Sequence, residues 1–243
     1  MAQLSGATAQ PSPPSVGEAF SWAFKDPEWV SKVLLMGLIG IIPIVGALQL
    51  AGWLLAMLDN LRAGRNEIPS AGFRYATRGV WLWLAGLIYG IGLFLILWGS
   101  VIIFVAAVGL VSQAGQRGDS ANPLALLLIP FFLVWFGVTL LVSLALWIFV
   151  PAVILFTDRR GLSGAFDIPG IIRAVRLDPP TNLAAAGLTL LVYFISGLGA
   201  YLCWIGVIFT SPYALTVLAG VLRWYELSVK PESPPAPSAA LAR

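Results

Sequence analysis

An all-α, polytopic membrane fold follows from three observations on this 243-residue chain. Charged residues make up only 10% of it and apolar ones 59%, whereas an ordinary soluble domain carries roughly a quarter of its residues charged. Four stretches, 33–58, 79–116, 120–157 and 179–222, hold no charge at all, and together they span 146 residues. Uncharged apolar runs longer than about 18 residues read as membrane-crossing helices. The basic residues, finally, collect beside and between these runs, as they do at membrane edges. The expected architecture has about six helical segments: two long spans flanked by two broken or hairpin-like ones, with short interfacial helices. Residues 15–228 make one integral membrane domain. A polar tail over 1–14 and a Pro/Ala-rich tail over 229–243 are expected to be disordered.

In chain order, Ser15-Val-Gly-Glu18 has the form of a capping box, with Ser15 at the N-cap and Glu18 three residues on. Val16, Phe20, Ala23 and Phe24 follow at helical spacing, with Trp22 and Trp29 as interfacial aromatics. A short helix over 16–25, lying on the membrane surface, is expected. It stops at Asp26-Pro27, since proline disfavours helix at the residue before it.

The run 33–58 would be about 39 Å long as one helix, against a hydrocarbon core of about 30 Å. Its middle, Gly40-Ile-Ile-Pro43-Ile-Val-Gly46, is a helix break. One kinked, tilted helix and a hairpin of two half-helices both fit. Runs 79–116 and 120–157 are each one full span with an extension. The short glycine-containing loop between them makes them antiparallel neighbours, and Pro130 and Pro151 imply local bends in the second. The last run would be about 66 Å as one helix, and Gly197 and Gly199 offer a break near its centre. Asp26-Pro27 and Asp178-Pro179 open the two terminal runs, and Leu50-Ala51-Gly52 and Leu218-Ala219-Gly220 lead out of them. This is a weak internal repeat of the kind seen in transporters and in other membrane proteins.

Segment 59–78 holds four arginines, 158–178 holds four, and 112–123 holds Arg117 alone. That asymmetry places the first two segments in the cytoplasm and the third outside. If both terminal runs are hairpins, the two chain ends are cytoplasmic as well.

The opening Phe24-Lys-Asp-Pro-Glu-Trp29, the Ile42-Pro43-Ile-Val-Gly46 turn, and Gly52-Trp53, Asn60, Arg62, Gly64 and Ile68-Pro69 resemble domain of unknown function family 4013. These are small bacterial and archaeal polytopic membrane proteins. Gly164 to Pro179 resembles the family's cytoplasmic amphipathic loop, and Ile205 to Tyr213 its final helix. The resemblance covers about residues 20–225. Trp53 departs from the family's usual tyrosine, and Ser70-Ala71 from its acidic–tryptophan pair. It implies a membrane fold and transfers no catalytic residue.

Composition narrows the function. There is no histidine and a single cysteine, Cys203, so the commonest general base, the usual metal ligands and any intrachain disulfide are missing. Cys203 reads as a small packing residue. The uncharged runs offer Gln49, Ser100, Thr139, Ser143, Ser196, Thr210 and Ser211, whose default role is packing against backbone or a neighbouring helix. Gln49, the costliest to bury, is the candidate to line a cavity. Gly86-x-x-x-Gly90, Ala47-x-x-x-Ala51 and Gly52-x-x-x-Ala56 permit close helix approach.

No catalytic, cofactor or metal site is expected, and the chain reads as non-enzymatic. The candidate contact residues are Arg173 and Arg176, on an amphipathic helix capped by Asp167, facing anionic lipid or a partner. The partners expected are the lipid bilayer and either another membrane protein or a second copy; nucleic acid is excluded, since the basic residues form no single face. The favoured reading is a structural or accessory subunit of the bacterial inner membrane. A channel or permease for a neutral or lipid-like solute is the alternative.

Overall fold

The computed structural model describes residues 15–115, 123–201 and 205–229. The two tails, the loop with Arg117 and Cys203 lie outside the described residues, so the readings of them stand as expectations. Among the described residues every regular element is helical, and the chain divides more finely than six segments. Four stretches are long and apolar enough to cross a membrane: Ala76–Gly109, Pro130–Arg160, Pro179–Tyr201 and Ile205–Ser228. The chain is therefore built as a membrane protein.

Helix α1 (Val16–Ser21) begins with the capping box in full: Ser15 Oγ accepts from Glu18 N, and Glu18 accepts from Ser15 N. A 3-10 turn continues it to Lys25. Part of its apolar side packs into the protein, while Val16 and Phe24 stay exposed. Ala19, Trp22 and Ala23 are buried, Trp22 Nε1 donates to the Thr216 carbonyl at 2.9 Å, and Gly220 lies against the Ala19 backbone. The glycine leaves room for α1 to dock on the last helix.

The first run turns as a hairpin. Helix α2 (Trp29–Gly40) and helix α3 (Val45–Arg62) are separated by Ile41 to Ile44. Ile44 sits at φ 64°, a left-handed conformation that costs a β-branched residue energy. A Cβ on Gly46 would stand 2.5 Å from the Ile39 carbonyl oxygen, so glycine is needed for the reversal. At 12 residues, α2 spans about 18 Å and is too short to cross. Its two ends are tied on one side: buried Asp26, just before α2, accepts from Ile68 N, just after α3, at 2.9 Å.

Helix α4 (Ala76–Gly115) and helix α5 (Pro123–Leu146) are antiparallel neighbours, with Phe104 stacked on Phe132 at 3.8 Å between ring centroids. Pro130 lies inside α5. Pro151 does not bend a continuous helix; it occupies the first turn of α6 (Val150–Arg160) after a 3-10 turn at Trp147–Phe149, a position where its missing N–H costs nothing. Much of α4 and α5 faces outward, as with Ile103 (71% exposed) and Leu141 (68%). Lipid is the natural cover for such a surface.

Short helices α7 (Leu162–Ala165) and α8 (Ile168–Leu177) lead to α9 (Pro179–Tyr201), capped by Asp178, which accepts from Thr181 N and Thr181 Oγ1. Helix α10 (Ile205–Ser228) returns along α9. The break expected at Gly197–Gly199 is not there. Helix α9 runs through both glycines, because an isolated glycine costs a helix only about 1 kcal/mol. Gly199 serves packing instead: a Cβ there would overlap Thr210 Oγ1 and the Gly206 backbone. Ser196 and Ser211 hydroxyls meet at 3.0 Å, and Thr210 Oγ1 donates to the Ser196 carbonyl, locking the hairpin.

The core lies between the two hairpins, where Val33, Met36, Trp53, Met57, Leu58, Val217 and Leu222 are fully buried. Both outgoing helices carry a close-approach glycine, Gly52 against the Tyr75 carbonyl and Gly220 against Ala19. The weak repeat in the sequence thus has a matching pair of structural roles.

Candidate functional site at the charged end of the bundle

The ends of the uncharged runs converge on one face. Arg62 closes α3, Arg78 opens α4, Asp158 closes α6 and Glu226 closes α10. Arg62 binds Glu226 through two nitrogens, Nη2 to Oε1 at 2.6 Å and Nε to Oε2 at 3.1 Å, and reaches Asp158 Oδ2 through Nη1 at 2.6 Å. Asp158 and Glu226 side chains are 2% and 6% exposed, so Arg62 is the group that lets two carboxylates be buried together. Burial opposes the Arg62 charge, but hydrogen bonds to Glu226 and Asp158 outweigh it and hold the guanidinium above its usual pKa. Arg159 and Arg223 add to Glu226, and Arg78 joins Asp59 to Asp158. One side chain after another links α3, α4, α6 and α10.

Asp26 performs the same task for α2. It accepts from Glu28 N, Ile68 N and Lys32 Nζ. Burial alone would raise its carboxyl pKa; the Lys32 and backbone hydrogen bonds prevail and lower it. Its contribution is therefore present above the ordinary carboxylate pKa and disappears as pH falls through the lowered value.

Gln49 is not among the residues lining the cavity described below. Its side chain is buried, with Nε2 donating to the Phe73 carbonyl and Oε1 accepting from Tyr75 N, both at 2.8 Å. It fixes the segment that enters α4 onto α3. Gln49→Leu keeps the volume but orphans both backbone groups, an expected loss of about 2 kcal/mol, read as a lower unfolding midpoint in detergent. Thr139, Ser143 and Ser100 bond to carbonyls of their own helices, as expected.

Helix α8 presents the sequence candidates. Asp167 Oδ1 accepts from Gly170 N and caps it, Pro169 lies in its first turn, and Ile171 is buried. Arg173 and Arg176 are exposed, and among the described residues neither has an ion-pair partner. They do not join the Arg62 cluster.

Sequence reasoning missed the cluster itself, and it missed Asn182. That residue is 1% exposed, donates to the Ile148 carbonyl and accepts from Tyr225 Oη at 2.9 Å. The available signals were an amide within an apolar run, and the fact that the first charges beyond each run must share a plane.

Between α4 and α6, beside this cluster, lies a cavity of about 380 Å³ lined by Leu55, Thr77, Arg78, Trp81, Leu82, Thr157, Asp158, Arg160 and Gly161. Its walls carry the Arg78–Asp158 ion pair and the aromatic surface of Trp81.

No curated protein and no solved structure matches the chain. A family model described as a protein of unknown function, DUF4013, matches residues 35–222, which includes α3 to α9 entire, half of α2, most of α10, and three of the four members of the Arg62 cluster. The chain belongs to this DUF4013 family.

Proposed function

We propose that the chain is a non-enzymatic, multi-pass subunit of the bacterial cytoplasmic membrane. It holds a partner membrane protein, or a second copy of itself, in place. The observation that supports this best is where the polar groups of the bundle go. Gln49, Asn182, Thr210 and Thr216 bond to backbone inside the packing, Asn182 also accepting from Tyr225 Oη, and the centre between the hairpins is filled by Trp53, Met57 and Leu222. A permease needs polar groups turned toward a path, and these four are taken up by packing instead.

The test is affinity purification from native membranes in mild detergent. A stoichiometric partner or a defined homo-oligomer is expected, with no increase in glycerol flux when the protein is reconstituted in liposomes. A lone monomer that raises glycerol flux contradicts the proposal and supports the permease reading.

The charged end is proposed to face the cytoplasm, on the four–one–four distribution of arginine. Arg173 and Arg176 then extend from α8 toward anionic headgroups, each worth about 1 kcal/mol. For the full-length Arg173→Ala/Arg176→Ala variant, association with anionic lipid is expected to weaken about thirtyfold, read as lipid adducts in native mass spectrometry. An unchanged adduct count contradicts the anchor.

A further inference from the structure

The α4–α5 and α9–α10 hairpins are long enough to cross a membrane, and the α2–α3 hairpin is not. Helices α9 and α10 run about 34 and 36 Å, enough for a hydrocarbon core of about 30 Å. From Lys32, the last charge before the α2–α3 tip, to Ile42 is about 15 Å. From Ile44 to Asp59, the next charge, is about 22 Å. Both feet of this hairpin stand at the charged end, since Asp26 holds Lys32 and Ile68 N while Arg62 holds Asp158 and Glu226. Its tip therefore reaches the middle of a bilayer and stops short of the far surface.

The chemistry of the tip agrees with that depth. Residues 33–48 hold no polar side chain, and neither tryptophan nor tyrosine occurs between Trp29 and Trp53. A turn among headgroups favours such residues. The sequence between α9 and α10 offers Tyr201 and Trp204, and that between α4 and α5 offers Arg117 and Asp119. At the α2–α3 tip Ile41, Ile42 and Ile44 are exposed instead. Hydrocarbon demands that backbone groups be satisfied within the protein. Over residues 41–46 four of the five amides donate to carbonyls of the same hairpin, and Pro43 has no N–H.

The packing thins in the same direction. Along α4, Gly79 and Ala85 are buried, but no residue is from Gly86 to Gly109. The buried residues of α10 lie between Pro212 and Tyr225, in the part that approaches the charged end. The short helices α7 and α8 belong to that end too, since Arg160 bonds to Asp167 between them. One half of the bundle thus holds α2, α3, α7 and α8 beside the crossing helices, and the other half holds the crossing helices without them.

We infer that the α2–α3 hairpin ends inside the bilayer, that the chain fills more area in the leaflet at its charged end than in the other, and that it gathers where that leaflet is convex. Bending spreads the headgroups of a convex leaflet and crowds those of the concave one. A protein wide on the convex side relieves both. The amphipathic helix α8 adds to the effect, because binding of such helices depends on curvature. The inference rests on the chain being embedded in a membrane, and it holds whether the protein acts as a scaffold or as a permease.

Two measurements on the full chain, in a Cys203→Ser background, test it. A nitroxide on Ile42→Cys in reconstituted bilayers is expected to be reached by oxygen and shielded from an aqueous nickel chelate. Ile88→Cys is the reference for depth, because it lies ten residues beyond Arg78 as Ile42 lies ten beyond Lys32. Ile41→Cys gives a second reading of the tip. Chelate access at the tip, from either side of the membrane, overturns the inference. For curvature, an impermeant dye on Ala71→Cys marks those molecules in giant vesicles whose charged end faces outward, and the same dye on Gly118→Cys marks the opposite orientation. In a narrow tube drawn from the vesicle, protein labelled at 71 is expected to be denser than in the vesicle body, and protein labelled at 118 sparser. Equal density in tube and body, or a change of the same sign for both labels, overturns the curvature preference.

Discussion

Arg62→Ala is expected to cost about 3–5 kcal/mol, because it strips the cation from two buried carboxylates at once. Asp158 and Glu226 would remain at 2% and 6% exposure with their main counter-charge gone. Arg62 is itself a quarter exposed, so water entering the vacated space softens the loss toward the lower end. Arg62→Lys is expected to fall between, since an ammonium keeps the charge but cannot make the two-nitrogen grip on Glu226. Arg159→Ala serves as the contrast. Arg159 touches the same Glu226 but is 62% exposed, and an exposed partner of this kind is worth less than about 1 kcal/mol. Thermal unfolding in one detergent orders the three. A loss at Arg159 as large as that at Arg62 would show that exposure does not govern the cluster.

Gly52→Ala is expected to be at least as damaging, although it adds one methyl group. The new Cβ would overlap the Tyr75 carbonyl oxygen and stand 2.9 Å from Gly79 N. Neither atom can rotate away, because both belong to backbone. Gly79→Ala meets the Leu48 carbonyl and the Gly52 backbone from the other side. These two glycines are where α3 and α4 touch, so either change must separate the helices, at or beyond the upper end of the about 1–3 kcal/mol that overpacking costs. Gly86 and Gly90, about two and three turns further along α4, meet nothing within 4 Å. Alanine there is expected to be neutral or to stabilise by about 0.5–1 kcal/mol through helix propensity. Reversal of that order in unfolding midpoints would contradict the packing.

Small-residue spacing alone did not distinguish these cases. Gly86-x-x-x-Gly90 reads as a better helix-packing motif than Gly52-x-x-x-Ala56, yet it is Gly52 that packs. Spacing reports which residues share a face of a helix, whereas the identity of the opposing helix depends on chain reversals elsewhere. The reversals were partly legible: Pro43 between glycines marked a break in an overlong run, though one kinked helix fitted the pattern as well as a hairpin. The last run misled, since Gly197 and Gly199 look like a break but sit inside α9. In that hairpin the demand for close approach to Thr210 and Gly206 explains Gly199; nothing in the structure explains Gly197.

The cluster at the charged end was hidden for a related reason. Arg62 and Glu226 are 164 residues apart, and no local pattern pairs them. Only the plane shared by the run ends brings them together. Arg173 and Arg176, by contrast, were legible because their helix is local: a capping aspartate, a first-turn proline and isoleucines at helical spacing are all adjacent in sequence. The short helix at 16–25 lay between these cases. Its cap and its end were local and correct, while its burial against α10 was set by Gly220, two hundred residues away.

The charged contacts described above gather at one end of a bundle whose terminal runs both turn back, and the proposed orientation puts that end in the cytoplasm. Single cysteines at Ala71, Gly118 and Ser163, introduced in a Cys203→Ser background, test it in intact cells with a membrane-impermeant thiol reagent. Labelling at position 118 and protection at 71 and 163 are the expected result, with both protected sites reacting once the membrane is opened. Labelling of 71 or 163 from outside would contradict the account.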